Sequence, residues 1–117
     1  MRKLYIVKNK YDFDRIIKTG KFRKNKSYVI YYDKNNLPYD RFGISVGKKM
    51  GNAVSRNKHK RKLRAIIDNY KKLYVNNRDY IIILRGSAKD REYNELNQDF
   101  LAIMDNIRKD IKNEEKK

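Results

Sequence analysis

The feature of this sequence that most constrains its fold is a basic amphipathic stretch that follows Gly51. Its apolar residues recur at helical spacing, which predicts a helix from about Asn52 to Val75, with Asn52 as a possible N-cap. One stripe along that helix contains His59, Leu63, Ile66, Tyr70 and Leu73, with Ile67 and Tyr74 beside it. Because an apolar stripe has to be buried against another element, we expect this helix to pack on a sheet.

The other side of the predicted helix is crowded with cations. A surface that we call the basic flank contains Arg56, Asn57, Lys60, Arg61 and Arg64, while Lys58 and Lys62 point away from it. Like charges four residues apart, such as Arg56 and Lys60, destabilise a helix by about 0.2–0.5 kcal/mol per pair. No glutamate is interleaved to offset that cost. The basic flank therefore predicts contact with a polyanion.

The charge of the whole chain favours nucleic acid as that polyanion. The formal net charge is +17 and is unevenly distributed: residues 1–85 hold 24 basic and 6 acidic side chains, whereas residues 86–117 hold 7 and 8. Self-repulsion of this size opposes folding, which argues against a charge that serves solubility alone. An anionic membrane is a second candidate, but no polybasic segment lies beside a hydrophobic anchor. Nucleic acid is therefore the expected partner.

Length and composition limit the remaining classes of protein. A chain of 117 residues is long enough for one core, so we expect a single RNA-binding domain over residues 1–117, with a frayed tail from residue 110. The absence of cysteine excludes disulfides and thiolate metal sites and suits a reducing cytoplasm. No apolar run approaches the roughly 20 residues of a membrane span, and the N-terminus has too few apolar residues for a signal peptide. We expect a cytoplasmic protein with no membrane partner.

Periodicity along the rest of the chain predicts two further helices and three or four strands. The helices span about residues 10–19 and 91–109, and the strands about residues 27–33, 41–47 and 80–84, with a short edge strand possible in the basic residues 21–26. The order α-β-β-β-α-β-α predicts an α/β (α+β) two-layer sandwich with a mixed sheet of about four strands. The apolar run from Tyr80 to Leu84 does not alternate, which predicts a strand buried on both faces with a parallel neighbour.

Two of the predicted strands have faces of contrasting character. In the first, alternation separates Val29 and Tyr31 from a second face that contains Tyr28, Ile30 and Tyr32. In the second, the face opposite Phe42, Ile44 and Val46 consists only of Gly43, Ser45 and Gly47. Such a bare face indicates either a shallow trough that another backbone approaches or a surface that an adjacent helix covers closely. The residues alone favour both interpretations equally.

The sequence contains no arrangement of carboxylates or histidines that is typical of catalysis by protein groups. The acids of residues 1–85 are scattered, and Asp12 and Asp14, two residues apart on a helix, project to different sides. None of them has the spacing of a metal site. His59 is the only histidine and lies on the apolar stripe, so we expect it to be a packing residue rather than an acid or base. We therefore expect no catalytic residue and no metal site in the protein.

The basic stretch also resembles a known motif. In the register of the bacterial ribonuclease P protein subunit, Gly51, Asn52, Ala53 and Val54 precede the triplet Arg56, Asn57 and Lys58, which is followed by Lys60, Arg61 and Arg64. The resemblance extends over about residues 8–108. It implies a left-handed βαβ crossover, as in one ribosomal-protein domain, although such crossovers are right-handed as a rule. It also implies a subunit of the enzyme that removes the 5′ leader from precursor tRNA, in which the RNA subunit is the catalyst and uses Mg²⁺.

The resemblance further implies which residues contact which RNA. The catalytic RNA would be bound by Arg56, Asn57, Lys58, Lys60, Arg61 and Arg64. The single-stranded leader of precursor tRNA would lie in a cleft formed by Phe13, Tyr28, Tyr31, Ser45 and Lys49. The protein would bind no cofactor tightly and would be a monomer, one per holoenzyme. A ribosomal or RNA-chaperone protein is the alternative from another class, and a protein-only nuclease is a third, disfavoured by the scattered acids and the single histidine.

Overall fold

In the part of the chain that the structure describes, residues 5–71 and 76–116, helices and strands follow the order α-β-β-β-α-β-α. This computed structural model contains α1 (Lys10–Thr19), β1 (Lys21–Lys24), β2 (Tyr28–Lys34), β3 (Arg41–Val46), α2 (Ala53–Lys71), β4 (Arg78–Leu84) and α3 (Tyr93–Glu115). Short 3-10 helices follow β3 and β4, at Lys48–Met50 and Gly86–Ala88. The predicted order, including the short strand β1, is confirmed.

Within these residues, the strands form one mixed sheet in the order β1-β2-β4-β3. β2 lies antiparallel to both β1 and β4, whereas β3 and β4 are parallel neighbours. The chain passes from β3 to β4 through α2, so the predicted βαβ unit and the predicted parallel neighbour of β4 are both confirmed. The left-handed sense of the crossover stays a prediction.

The two faces of the sheet are covered by different helices. The larger core lies on the face of Tyr28, Ile30 and Tyr32, where buried residues of α2 and α3 pack against the strands. A smaller cluster lies on the opposite face, where Ile16 of α1 packs with Val7 and Ile81, and Phe13, Tyr31 and Ile83 pack against them. The sheet and the α2–α3 pair are thus the two predicted layers, and α1 adds a partial layer on the other side.

Strand β4 is buried on both faces, as its continuous apolar sequence predicts. Ile82 belongs to the larger core and Ile81 to the smaller one, and neither is exposed to solvent. A central strand between two covered faces needs apolar side chains at successive positions rather than at alternate ones. β4 therefore provides the frame on which both α1 and α2 are positioned.

The apolar stripe of α2 is buried as predicted. Its buried residues are His59, Leu63, Ile66, Ile67 and Tyr70. The side-chain oxygen of Asn52 accepts a hydrogen bond from the backbone N–H of Ser55 at 3.0 Å, which confirms the predicted N-cap. Leu73 and Tyr74 of the predicted stripe, and the predicted helix end at Val75, lie outside the described residues.

The last helix is longer than the sequence predicts. α3 extends to Glu115 rather than ending near Lys109, so the expected frayed tail is helical over residues 110–115. Ile111 is buried, and Arg23 of β1 donates to both carboxylate oxygens of Asp110 at 2.8 Å. These contacts come from a strand almost ninety residues earlier in the chain. Among the helices that the structure describes, none has the length and apolar character needed to cross a membrane.

Candidate nucleic-acid interface

The basic flank of α2 is not neutralised by the protein itself. Asn57, Arg61 and Arg64 are exposed, as is Lys58 beside them, whereas Arg56 and Lys60 are half-buried. In the described part of the chain, none of the cations between positions 56 and 64 lies within ion-pair distance of an acid. Four arginines elsewhere, Arg15, Arg23, Arg41 and Arg91, are each paired with an aspartate. The flank therefore presents positive charge that is available to a ligand.

Arg56 differs from the rest of the flank because its Nε is buried without a hydrogen-bond acceptor among the described residues. Arg56 lies in the first turn of α2. This helix begins shortly after Gly51, whose φ is 107°. The Ser55 hydroxyl closes this turn by donating to the carbonyl oxygen of Met50 at 2.7 Å. A buried donor without an acceptor costs about 1–3 kcal/mol. An acceptor for this donor would have to come from a ligand or from solvent.

His59 lies on the buried side of the same helix. It is 7% exposed, in agreement with the predicted packing position. Burial, followed by the positive charges of Lys62 and Lys89, lowers its pKa below the ordinary value for histidine. The imidazole is therefore held neutral at physiological pH and does not add to the charge of the basic flank.

The bare face of β3 is covered at Gly43 by a side chain of α1. A Cβ atom at Gly43 would lie 2.6 Å from Cε2 of Phe13 and 2.9 Å from Cδ1 of Ile81. At this position the second interpretation, close cover by an adjacent helix, is correct. Gly47, at the other end of the face, has no heavy atom within 4 Å of the corresponding point. The trough is thus closed at one end by Phe13 and open at the other.

Beyond α1, part of the same sheet surface stays accessible. We call it the open face; it consists of Phe22, Val29, Tyr31, Ser45 and Ile83. Strand pairing puts Phe22 opposite Tyr31, and Ile83 opposite both Val29 and Ser45. The predicted leader site includes Tyr31 and Ser45 of this face but not Phe22, Val29 or Ile83. Alternation already grouped Val29 with Tyr31, whereas the register between strands was needed to add the other two.

The prediction that Tyr28 lines the leader cleft is wrong. Tyr28 is completely buried in the larger core, where its ring packs edge-on against Phe100 with centroids 5.7 Å apart. Its hydroxyl donates to the carbonyl oxygen of Leu96 at 2.8 Å, and burial raises its pKa. Side chains three positions apart on a strand point to opposite faces, so Tyr28 and Tyr31 cannot contact one ligand on one face of the sheet.

The remaining predicted leader contact, Lys49, lies where β3 and β4 end. It is exposed in the 3-10 helix after β3, and a Cβ atom at Gly86 would lie 3.4 Å from its Cδ. Parallel strands end at the same edge of a sheet, so Lys49 and Gly86 meet there although they are far apart in the chain. Lys49 therefore adds a positive charge near the C-terminal end of β3, and Ser45 lies at the same end of that strand.

A small cavity joins the basic flank to the smaller core. Its volume is about 140 Å³, and it is lined by Ile6, Val7, Phe13, Phe42, Gly43, Ile44, Lys60 and Arg64. Ile6 pairs with Phe42 at the edge of β3, where the backbone N–H of Val7 donates to the carbonyl oxygen of Phe42 at 3.0 Å. Phe13, predicted to contact the leader, thus shares a cavity with two cations predicted to contact the catalytic RNA. No pattern in the sequence predicts this proximity.

A buried carboxylate holds α1 and β3 in their relative positions. Arg41 of β3 donates to the two oxygens of Asp79 at 2.8 and 2.7 Å, Asn35 donates at 2.9 Å, and Arg15 of α1 donates at 3.3 Å. Burial alone would raise the pKa of Asp79, but the hydrogen bonds from Arg41 and Asn35 and the charges of Arg41 and Arg15 outweigh it and lower that pKa. The carboxylate is therefore ionised, and through Arg15 it helps to keep Phe13 on the sheet.

Comparison with known proteins decides the family. The sequence profile of the family described as Ribonuclease P matches residues 1–108. This chain belongs to the ribonuclease P protein family. The Ribonuclease P protein component of Mesoplasma florum is 44% identical over 103 residues, which cover 84% of this chain and 94% of that protein. The corresponding protein of Streptococcus pyogenes serotype M5 is 40% identical over 99% of each chain.

The fold agrees with that of solved ribonuclease P proteins. A Staphylococcus aureus RNase P protein mutant superposes with a TM-score of 0.85 at 36% identity, covering 91% of this chain and 90% of that one. Membership of the ribonuclease P family gives the chain a role in an endoribonuclease complex and in tRNA processing, and the ribosomal or chaperone alternative is not favoured. Among residues 5–71 and 76–116, no group of three or more His, Asp and Glu is arranged to hold a metal ion.

The close contact between Gly43 and Phe13 allows a direct test of how the covered end of the trough is built. Gly43→Ala should destabilise the fold by about 1–3 kcal/mol, because the new methyl group overlaps Phe13 and Ile81. Gly47→Ala is the matched control and should change the free energy of unfolding by less than about 0.5 kcal/mol, since its surroundings are empty. Urea denaturation of both variants gives the comparison; equal losses would contradict the contact.

Proposed function

We propose that this chain is the protein subunit of a bacterial ribonuclease P holoenzyme that acts in the cytoplasm. In this proposal a catalytic RNA, using Mg²⁺, removes the 5′ leader of precursor tRNA, and one copy of the protein binds both RNAs. The protein binds no cofactor tightly. The observation that carries the proposal is the basic flank of α2. Its cations lack acidic partners in the described part of the chain, whereas four arginines elsewhere, Arg15, Arg23, Arg41 and Arg91, are paired with aspartates.

The basic flank is the proposed contact with the catalytic RNA. Its residues, with Lys58, are Arg56, Asn57, Lys60, Arg61 and Arg64. Arginine and lysine contacts to phosphates position a protein on a nucleic acid without depending on base sequence. A structured RNA offers many such phosphates at fixed positions, and Arg56, whose Nε has no acceptor among the described residues, is one of the donors facing them. The flank therefore suits one specific RNA partner recognised by its shape.

The open face is the proposed contact with the leader. Tyr31 and Ser45 belong to it, with Phe13 at its covered end and Lys49 at the end of β3. Aromatic rings on a sheet bind unpaired bases by stacking, which every base permits. The surface combines such rings with aliphatic side chains and a lysine, so it suits single-stranded RNA of varied sequence. Tyr28 has no part in this contact because it is buried on the other face.

The chemistry is proposed to belong to the RNA rather than to the protein. His59 is buried with a lowered pKa, so it is poorly suited to donate a proton to a substrate. Asp79 is occupied by two arginines, and Asp110 is bound by Arg23 and by the hydroxyl of Tyr32 at 3.0 Å. Carboxylates committed to such contacts are not available to bind catalytic metal ions. Catalytic groups in the RNA, with Mg²⁺, account for cleavage without them.

A reconstitution assay tests the proposal as a whole. Adding the chain to the catalytic RNA and a precursor tRNA at limiting Mg²⁺ should stimulate cleavage at the 5′ end of the mature tRNA. The chain without that RNA should cleave nothing. Cleavage by the protein alone would instead identify a protein nuclease, and a lack of stimulation, although the chain binds RNA, would identify an RNA-binding protein outside this complex.

A single substitution tests the contact with the leader. Tyr31→Ala removes a ring from the open face but no charge, so it should weaken binding of leader-bearing precursor by about 1–3 kcal/mol and leave mature tRNA binding unchanged. Tyr93→Ala is the control, because Tyr93 is a partly exposed tyrosine on α3, which packs on the opposite face of the sheet. Both RNAs are titrated with reconstituted holoenzyme. Equal weakening of precursor and mature tRNA would show that the open face does not bind the leader.

A further inference from the structure

Phe22 is an exposed aromatic residue of the open face whose one aromatic contact among the described residues is with Tyr31. It is 55% exposed and belongs to neither core cluster. It lies on the edge strand β1 directly opposite Tyr31, and the two ring centroids are 5.4 Å apart with planes inclined by 38°. Single exposed apolar side chains are common and need no special role. A second ring beside a proposed stacking residue, on the same face, is a more specific arrangement.

The two sides of β1 differ in what they contact. Lys21 and Arg23 point toward α3, where they pair with Glu114 and Asp110. Phe22 and Lys24 alternate with them and therefore point to the side of the open face. Lys24 is exposed and makes no ion pair within the described ranges. The side of β1 next to Tyr31 thus offers a ring and an unneutralised cation two residues apart.

We propose that Phe22 and Lys24 extend the leader-binding surface beyond Tyr31 to the β1 edge of the sheet. In this inference, which rests on the proposed function, Phe22 stacks on a base of the leader farther along the strand than the base at Tyr31. Lys24 contacts a phosphate of the same segment. Neighbouring strands are about 4.8 Å apart, so rings on β2 and β1 can contact successive parts of one extended strand.

Charge favours single-stranded RNA over a second copy of the chain as the occupant of this edge. An exposed edge strand can also pair with another protein strand. The chain has a net charge of +17, however, and all residues of β1 other than Phe22 are basic. Two such edges would repel each other, whereas a polyanion is attracted. The ring and the cation together match a base and its phosphate.

Leaders of graded length provide the test. Precursor tRNAs with leaders of about two to ten nucleotides are titrated with holoenzyme reconstituted from the catalytic RNA and wild-type, Phe22→Ala, Phe22→Trp or Tyr31→Ala protein. Phe22→Ala should weaken binding about five- to tenfold, and only for the longer leaders, because one partly exposed stack is lost. Phe22→Trp should bind like wild type. Tyr31→Ala should already weaken binding at shorter leaders than Phe22→Ala does.

The outcomes separate this inference from the function on which it rests. If Tyr31→Ala weakens leader binding and Phe22→Ala changes binding at no length, the extension to β1 is wrong and the proposed function stands. If neither variant distinguishes leader-bearing precursor from mature tRNA, the proposed leader contact itself fails. A Phe22→Ala loss that is equal at all leader lengths, or a change only in self-association of the free protein, also overturns the extension. Phe22 is exposed, so circular dichroism of the alanine variant should match wild type.

Discussion

Replacing Arg56, Lys60, Arg61 and Arg64 together by alanine should lower the affinity of the chain for the catalytic RNA about a thousandfold near 0.1 M salt. Each phosphate contact that is lost should flatten the plot of log affinity against log salt by about 0.7–0.9, so the four should reduce the slope by about 3. Among the described residues these cations have no acid within ion-pair distance, so their removal breaks no ion pair of the fold. Filter binding at several salt concentrations, with the RNA folded in Mg²⁺, measures both quantities.

A second variant with the same change in net charge distinguishes the effect of the basic flank on RNA affinity from the effect of net charge alone. Lys89, Lys109, Lys112 and Lys116 are exposed and lie outside α2. Their replacement by alanine also removes four positive charges, but we expect a much smaller loss of affinity and a nearly unchanged slope. Comparable losses in the two variants would mean that the whole field of the protein attracts the RNA and that the flank is not a defined contact.

The second large effect is expected at Asp79. Asp79→Asn should destabilise the fold by about 3–5 kcal/mol at neutral pH, because Arg41 and Arg15 would lose the carboxylate that they share. Its side chain has no exposed surface, so water cannot replace the lost charge. Urea denaturation gives the free energy of unfolding. Asp90→Asn, at an exposed aspartate, is the control and should have an effect below about 0.5 kcal/mol.

The pH dependence of this difference follows from the lowered pKa of Asp79. A carboxyl group whose pKa is lower in the folded chain than in the unfolded chain stabilises the fold above the unfolded pKa, about 3.9. That stabilisation is lost as the pH falls through the folded pKa. The difference in free energy of unfolding between wild type and Asp79→Asn should therefore be largest at pH 5–7 and should become smaller below about pH 4. A difference that is constant down to pH 2 would show that the charge of Asp79 does not stabilise the fold.

Local geometry explains why much of the fold could be predicted from the sequence. The stripe from His59 to Tyr70 repeats at the period of a helix, and the alternation of β2 repeats at the period of a strand, both of which are set by backbone geometry within a few residues. The unbroken apolar run of β4 likewise indicated cover on both sides. The placement of Tyr28 in the leader cleft, which its burial contradicts, came from the family resemblance and not from periodicity, which had separated Tyr28 from Tyr31.

The sequence by itself determined the order of the elements, the buried stripe of α2 and the cationic character of its flank, because each depends on residues that are neighbours along one helix or strand. Only the tertiary structure decided which cations are left unpaired, since the partners of Arg41 and Arg23 lie 38 and 87 residues away. It also decided that Phe13 fills the bare face at Gly43 and that Phe22 lies beside Tyr31. Strand register, helix placement and ion pairing are contacts between distant segments, and no local period specifies them.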